Sequence, residues 1–280
     1  MKLIINDKTF IFDRPAVMGI LNVTPDSFSD GGRYNLIDNA LHHCKTMIAE
    51  GADFIDIGGC STRPNNAIAT ANEETERVIP ILRVLRKAFP ETLISIDTFR
   101  KSVAEACLAE GANLINDISG GLFDAEMLPY IGQNHVPYVM MHCVGTPETM
   151  HQYALDGDIH QTVLGFFEQQ FQVLEAYGEQ QIILDPGIGF GKSLESNYRL
   201  LGDLDRYRLH NCPILIGISK KSLINKVLGT TPDTADNGTT VLNTIALLNG
   251  ADILRVHDVR KAREAVELLG VFRESIGKTL

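Results

Sequence analysis

Hydrogen-bonding and charged residues recur in this chain directly after short apolar runs. In chain order they are Asn22, Asp56, Asp97, Asn116 with Asp117, His142, Asp185, Ser219 with Lys220 and Lys221, and Arg255 with His257 and Asp258. Carboxylates and amides together can accept from and donate to the edge of a planar heterocycle. Lysine, arginine and histidine offer cationic donors for carbonyl or phosphate oxygens. The set predicts a site that holds a polar heterocycle together with an anion.

Asn22 is the residue expected to contact a metal ion. Its neutral amide oxygen suits a hydrated Mg²⁺ that also contacts phosphate. A zinc hydrolase is disfavoured, because barrel amidohydrolases begin with a His-x-His pair on the first strand and this run ends in Asn22.

The apolar runs predict buried parallel strands. They are Val17–Leu21, Phe54–Ile57, Leu93–Ile96, Leu114–Ile118, Tyr138–Met141, Ile182–Leu184, Ile214–Ile218 and Ile253–Val256. Near-continuous Val, Ile and Leu is typical of strands covered on both faces. Helices are predicted between them, including Ile37–Glu50, Glu73–Ala88, Lys101–Glu110, Gln161–Tyr177 and Lys261–Arg273.

Eight strand–helix units predict an α/β fold, a single (β/α)8 TIM barrel domain over residues 1–280, because parallel strands are joined by right-handed crossovers. An open doubly wound sheet is the alternative. Residues 2–12 are expected to form a short N-terminal β-hairpin across the bottom of the barrel. Barrel enzymes place their active sites at the C-terminal ends of the strands, which is where the polar residues fall.

Composition limits the partners. The chain has 280 residues and a formal net charge of −10, which disfavours nonspecific binding to nucleic acid or anionic membrane. The five cysteines are scattered without CxxC spacing, as is typical of reduced cytosolic thiols. Charged residues interrupt the N-terminal segment, and no apolar run approaches the roughly 20 residues of a membrane helix. The cytoplasm is the expected location.

Two long polar loops follow the first two strands, at 22–32 and 58–66. Their Gly, Pro, Ser and Asn content permits closure over a substrate. Arg63 could bind an anion there, and Phe28 could supply an aromatic wall.

Seven motifs give the chain a close resemblance to the dihydropteroate synthase family. They are MGILNVTPDSFSDGG (18–32), GGCSTRP (58–64), SIDT (95–98), INDISG (115–120), LDPGIGFGK (184–192), SKKS (219–222) and RVHDV (255–259). They occur in the order typical of that family and span nearly the whole chain. The resemblance implies a transferase that joins 6-hydroxymethyl-7,8-dihydropterin diphosphate to 4-aminobenzoate, giving 7,8-dihydropteroate and pyrophosphate.

The resemblance also implies a role for each site residue. Asp97, Asn116, Asp185 and Lys221 would bind the pterin. Asn22, Arg63, Arg255 and His257 would surround the diphosphate, with Mg²⁺ on Asn22. Thr62, Pro64, Phe28, Phe190 and Ser222 would form the aminobenzoate pocket. Asp97, Arg63 and Lys221 would be the catalytic residues, and a homodimer through helices near the C-terminus is expected.

The sequence departs from the family at three places. Cys60 stands where many members carry Glu, Lys220 where Arg is usual, and Asn65 and Asn66 where small residues are usual. A pterin-binding methyltransferase and a catalytically silent pterin binder are the rival hypotheses. The loop motifs at 22–32 and 61–64 disfavour the first, and the retained diphosphate residues disfavour the second. Whether Met140 or Met141 faces the pterin or the core is left open.

Overall fold

An antiparallel hairpin precedes an eight-stranded parallel sheet in the structure, a computed structural model that describes residues 1–5, 8–24, 33–60 and 68–277. The hairpin strands are β1 (Lys2–Ile5) and β2 (Lys8–Ile11). The sheet strands are β3 (Ala16–Asn22), β4 (Phe54–Gly58), β5 (Leu93–Asp97), β6 (Leu114–Asp117), β7 (Tyr138–Met141), β8 (Ile182–Asp185), β9 (Leu215–Ile216) and β10 (Ile253–Val256). All eight predicted strands are therefore confirmed, although β9 is shorter than the predicted run.

The sheet closes into a barrel. Its order is β8-β7-β6-β5-β4-β3-β10-β9, and a parallel bridge between Leu184 and Ile214 joins the two outer strands. Leu184 N–H also donates to Pro213 O at 2.8 Å across this junction. The closed barrel, not the open doubly wound sheet, is the fold.

Helices follow the strands on the outside of the barrel. In the described ranges they are α1 (Arg33–Ala49), α2 (Ala71–Ala88), α3 (Lys101–Ala109), α4 (Met127–Asn134), α5 (Ile159–Leu174), α6 (Leu194–Gly202), α7 (Ser222–Leu228), α8 (Asp236–Leu248) and α9 (Val259–Ser275). The five predicted helices are confirmed, with bounds that shift by a few residues. Among the helices of the described ranges, none has the length and apolar character needed to cross a bilayer.

Helix α2 shows why these segments are helical. Thr70 and Glu73 form a capping box at its N-terminus, which satisfies backbone donors that have no partner inside the helix. Val78, Leu82 and Leu85 recur at three- to four-residue spacing and are buried against the barrel. Local capping and the apolar face thus specify the same helix.

Two apolar layers support the barrel. The larger lies between strands and helices, and the smaller fills the N-terminal end of the barrel. Leu3 and Ile5 of the hairpin belong to the smaller layer, and the Phe12 ring stacks on Phe54 at 5.3 Å between centroids. The hairpin therefore covers the bottom of the barrel, as predicted, and leaves the C-terminal end for chemistry.

Candidate active site

Side-chain alternation brings the polar strand ends together inside the barrel. The interior bottom layer contains Met18, Phe54, Leu93, Leu114, Ile183 and Ile253. Successive side chains of a strand point to opposite faces, so residues an even number of positions further on face the interior too. Those residues are Asn22, Asp56, Asp97, Asn116, Asp185 and Arg255. The predicted pterin residues on strands and two of the predicted diphosphate residues thus share one face.

The same alternation answers the question left open for the two methionines. Val139 belongs to the interior layer, so Met141 faces the interior and Met140 faces the helices. Met140 is part of the core between strands and helices, whereas Met141 packs in a separate cluster with Ile118 and Phe99.

Arg255 is the centre of a partly buried charge network, in which Asp56 is fully buried. Its Nε donates to Asp56 Oδ2 and its Nη2 donates to Asp97 Oδ2, both at 2.6 Å. Asn116 Nδ2 donates to the same Asp56 oxygen at 3.0 Å. Sequence reasoning placed Asp97 with the heterocycle and Arg255 with the anion, and the structure joins the two residues directly. Asp56, noted only as a strand-end residue, was missed as the carboxylate that orients Arg255.

Burial perturbs the ionisation of this network. It raises the pKa of Asp97 to about 7, against the opposing effect of the Arg255 guanidinium. Burial alone would lower the pKa of Arg255, but Asp56 and Asp97 outweigh it and raise that pKa. Asp56 Oδ1 is buried without a hydrogen-bond partner in the described part of the chain. Strongly shifted groups that converge in a concave site are a marker of function.

Asp185 and Lys221 form a second polar group on the neighbouring wall. Gly187 N–H donates to Asp185 Oδ1 at 2.7 Å, and Lys221 Nζ donates to Ile188 O at 2.5 Å. The same ammonium group lies 4.2 Å from the centroid of the Phe190 ring, within cation–π range. Burial lowers the pKa of Lys221 to about 8, opposed by the Asp185 carboxylate. Phe190 also packs with the Met141 cluster, which places an apolar wall beside the two charges.

Asn22 lies beside Asp97 at the barrel mouth. A Cβ built on Gly58 would be 3.3 Å from Asn22 Oδ1 and 3.6 Å from Asp97 Oδ2, so a side chain there would crowd both oxygens. Among the described residues, no three His, Cys, Asp or Glu side chains cluster as a metal site. A single amide oxygen fits Mg²⁺ that keeps several waters and takes its remaining ligands from substrate phosphates.

The other predicted residues are distributed around the mouth. His257 follows β10, and its Nδ1 is 3.0 Å from Ser219 Oγ. Ser222 is the first residue of α7 and is exposed. His142 is buried and its ring packs edge-on against Phe166, so it has a packing role. Phe28, Thr62, Arg63 and Pro64 lie outside the described residues.

Two arginines fix the chain on either side of residues 61–67. Arg77 Nη1 donates to Gly59 O at 3.0 Å, and Arg100 Nη2 donates to Ala69 O at 2.5 Å. Arg100 also ion-pairs with Glu74, which is fully buried. Burial raises the pKa of the nearby Cys60 thiol, and the Glu74 carboxylate adds to that effect. Glu74 and its arginines thus supply anchoring that Cys60 cannot, and sequence reasoning missed them.

Taken together, the described side chains combine fixed carboxylates, an amide and two partly buried cations at one end of a barrel. The carboxylates and the amide can bind donors on a heterocycle, and the cations can bind carbonyl or phosphate oxygens. The geometry therefore defines a barrel enzyme with a site for a polar heterocycle and an anion.

Comparison with known proteins agrees with this class. The family model described as pterin binding enzyme matches residues 18–257. A Synechocystis dihydropteroate synthase is 46% identical over 250 residues, covering 88% of this chain and 86% of the relative. The Yersinia pestis dihydropteroate synthase, solved with a sulfonamide drug, has a TM-score of 0.90 at 38% identity and covers 98% of this chain and 100% of that one. The Burkholderia cenocepacia dihydropteroate synthase, complexed with 7,8-dihydropteroate, has a TM-score of 0.87 at 36% identity, covering 98% and 97%.

These matches span most of the chain and contain the site just described, so the protein is a pterin-binding barrel enzyme. Within that class it belongs to the dihydropteroate synthase family, whose members are transferases of folate biosynthesis.

Proposed function

We propose that this chain condenses 6-hydroxymethyl-7,8-dihydropterin diphosphate with 4-aminobenzoate to give 7,8-dihydropteroate and pyrophosphate. The observation that carries the proposal is the partly buried Asp56–Arg255–Asp97 network beside Asp185 and Lys221. The Burkholderia relative, solved with 7,8-dihydropteroate, supports the same product here.

Asp97, Asn116, Asp185 and Lys221 would bind the pterin. The Asp185 carboxylate can accept two hydrogen bonds from the amino-pyrimidine edge, and Lys221 can donate to the ring carbonyl or a ring nitrogen. Lys221 lies over Phe190, and its contact with Ile188 O leaves two ammonium hydrogens for a ligand. A ring that bridges Asp185 and Lys221 would join charges of opposite sign.

The diphosphate would lie among Asn22, Arg63, Arg255 and His257. Arg255 keeps one guanidinium edge on Asp56 and Asp97, so its orientation towards the anion is set by protein groups. When bound at Asn22, Mg²⁺ would offset negative charge on the departing pyrophosphate.

Thr62, Pro64, Phe28, Phe190 and Ser222 would form the aminobenzoate pocket. Phe190 and Ser222 are the described members: Phe190 lies in the turn after β8, and Ser222 begins α7 after the neighbouring strand β9. Because the Yersinia relative was solved with a sulfonamide drug, we expect this pocket to be a sulfonamide target as well.

The reaction needs positioning and electrostatics more than proton transfer. The pterin methylene–oxygen bond breaks as pyrophosphate leaves, and the aromatic amine forms the new carbon–nitrogen bond and then loses a proton to solvent. The positive charge that develops on the methylene would be stabilised by the ring nitrogens and by the Asp97 carboxylate. The amine is neutral near pH 7, so no strong general base is required.

A pyrophosphate-release assay tests the reaction. The purified protein, given both substrates and Mg²⁺, should release pyrophosphate in step with dihydropteroate formation. Turnover that requires 4-aminobenzoate would exclude the methyltransferase. Pterin binding without pyrophosphate release would identify a silent binder and overturn the proposal.

We further propose a homodimer formed through the C-terminal helices. Leu268, Val271 and Phe272 on α9 are large apolar residues that are more than half exposed, and Val241 and Leu248 on the packed neighbour α8 are exposed as well. An apolar patch of this kind on adjacent helices is typical of a protein interface. The cytoplasm is the proposed location, supported by five free cysteines.

A further inference from the structure

The turn between β8 and α6 encloses a lysine that the proposed reaction does not use. Lys192 is buried, and its Nζ donates to three backbone carbonyls: Gly187 O at 2.7 Å, His142 O at 3.0 Å and Phe190 O at 3.2 Å. An ammonium group has three donors, so all of them are engaged by main chain. Lys192 is therefore not available as a ligand for substrate.

These bonds fasten two neighbouring segments together. His142 follows β7, whereas Gly187 and Phe190 lie in the turn after β8. The approach is close: a Cβ on Gly187, whose φ is +69°, would lie 1.8 Å from His142 O. Only glycine permits this packing, and Lys192 satisfies the carbonyls that the packing removes from water.

Asn197 on α6 holds the same turn from the other side. Its Oδ1 accepts from Gly189 N–H at 2.6 Å, and its Nδ2 donates to Ser193 O at 2.8 Å and Lys192 O at 3.2 Å. Asn197 is also buried. Two buried polar side chains thus determine the path of residues 187–193.

This segment, residues 187–193, contains or contacts three residues that are predicted to bind the substrates. Gly187 N–H donates to the Asp185 carboxylate, Ile188 O accepts from Lys221, and Phe190 lies under the Lys221 ammonium group. Burial lowers the pKa of Lys192 to about 7, opposed by Asp185, so keeping a lysine here carries a free-energy cost that an apolar residue would avoid.

We propose that Lys192, with Asn197, is a positioning residue for pterin binding: it fixes the turn that orients Asp185, Phe190 and Lys221. The inference rests on the proposed function, in which those three residues bind the substrates. Neither Lys192 nor Asn197 is among the residues proposed to bind the pterin, and both side chains bond to the main chain.

The test compares pterin binding by Lys192→Met and Asn197→Ala with binding by the native chain. Calorimetry with 6-hydroxymethyl-7,8-dihydropterin diphosphate, without aminobenzoate, is run well below the melting temperature of each variant. We expect each variant to bind at least tenfold more weakly while remaining folded. Lys45→Met, on an exposed side chain, and Asn249→Ala, which loses a bond to Leu201 O near the C-terminal end of α6, are matched controls that should bind normally.

A double-mutant cycle separates positioning from general weakening. If both residues act on one turn, the losses in Lys192→Met/Asn197→Ala overlap, and the double variant binds more tightly than the product of the single effects predicts. Native affinity in the folded single variants, or fully multiplicative losses, would overturn the inference. If Lys192→Met does not fold, Asn197→Ala alone decides by its affinity. A native chain without turnover would instead refute the proposed function.

Discussion

Arg255 Nε donates to Asp56 Oδ2 at 2.6 Å, although the two residues are 199 positions apart in the chain. Arg255 lies on β10 and Asp56 on β4, the two strands that flank β3, so the contact crosses the interior face of β3. Asp56 is 0% exposed, and Asn116 holds the same carboxylate oxygen. The guanidinium is thus oriented by a residue that is itself fixed by the barrel.

Asp56→Asn should weaken both stability and catalysis. The substitution keeps the shape of the side chain but leaves Asp97 as the remaining counter-ion of Arg255. Removing one partner of a buried ion pair costs up to about 3–5 kcal/mol. We expect urea denaturation to show a loss of roughly 1–3 kcal/mol, with kcat/KM reduced at least tenfold. Asp233→Asn, at an exposed position, is the control. Native kcat/KM in Asp56→Asn would show that Arg255 does not need this orientation.

The pH profile of kcat/KM for the pterin substrate should be bell-shaped. In the proposed binding mode Asp97 is ionised and Lys221 is protonated, and burial moves these pKa values to about 7 and about 8. Activity should therefore fall as pH drops below 7 and as it rises above 8. Asp97→Asn should remove the acidic limb, and Lys221→Arg should move the alkaline limb upwards. If kcat/KM stays constant below pH 7 and above pH 8 for as long as the protein remains folded, the assignment is contradicted.

Ionisation of Asp97 should favour activity but lower the free energy of unfolding. Its pKa in the folded state is raised above the ordinary 3.8, so the native state retains a proton that the unfolded chain has lost. Its contribution is therefore present at low pH and is lost as pH rises through about 7. Denaturation curves of the native chain and Asp97→Asn, measured across this range, isolate the contribution.

Arg100→Met should weaken the use of 4-aminobenzoate more than the binding of the pterin diphosphate. Arg100 holds Ala69 O and pairs with buried Glu74, and residues 61–67 lie between this anchor and Gly59. We expect the KM for 4-aminobenzoate to rise at least fivefold, with the affinity for pterin diphosphate within twofold. Arg83→Met, which loses an exposed pair with Glu110, is the matched control. Equal losses for both substrates would assign Arg100 to general stability instead.

Leu268→Glu/Val271→Glu should convert a dimer into a monomer. The two side chains are 73% and 67% exposed, and burying carboxylates in an interface carries a large desolvation cost. Sedimentation velocity should show the native chain near twice the monomer mass and the variant at the monomer mass. Ile11→Glu, at a 76% exposed position on the hairpin, should leave the mass unchanged. A monomeric native chain would refute the proposed assembly.

Local sequence was enough to predict the barrel and the residues at its mouth. Apolar runs and the polar residues after them depend on neighbours in the chain, and strand alternation then places Asp97, Asn116, Asp185 and Arg255 on one face. The same alternation would have separated Met140 from Met141 once the interior face was known.

Contacts between distant segments could not be predicted in this way. Nothing near Lys192 in the sequence indicates that its ammonium group is enclosed by carbonyls of two loops, and nothing near Glu74 indicates complete burial. The pairing of Arg255 with Asp56 depends on how β4 and β10 lie around β3. Such contacts depend on how distant segments pack against one another in the fold, which composition and spacing do not reveal.

The junction between β8 and β9 is where the barrel has its least extensive backbone pairing, through Leu184 and Ile214. Asp185 stands on one side of this junction and Lys221 on the other, joined through the contact of Lys221 with Ile188 O. A pterin bound to both residues would connect the two sides of the junction at which the strands are least extensively paired. Binding of pterin and closure of the barrel would then be thermodynamically linked, because a ligand that binds only the closed barrel raises the free energy needed to separate β8 from β9.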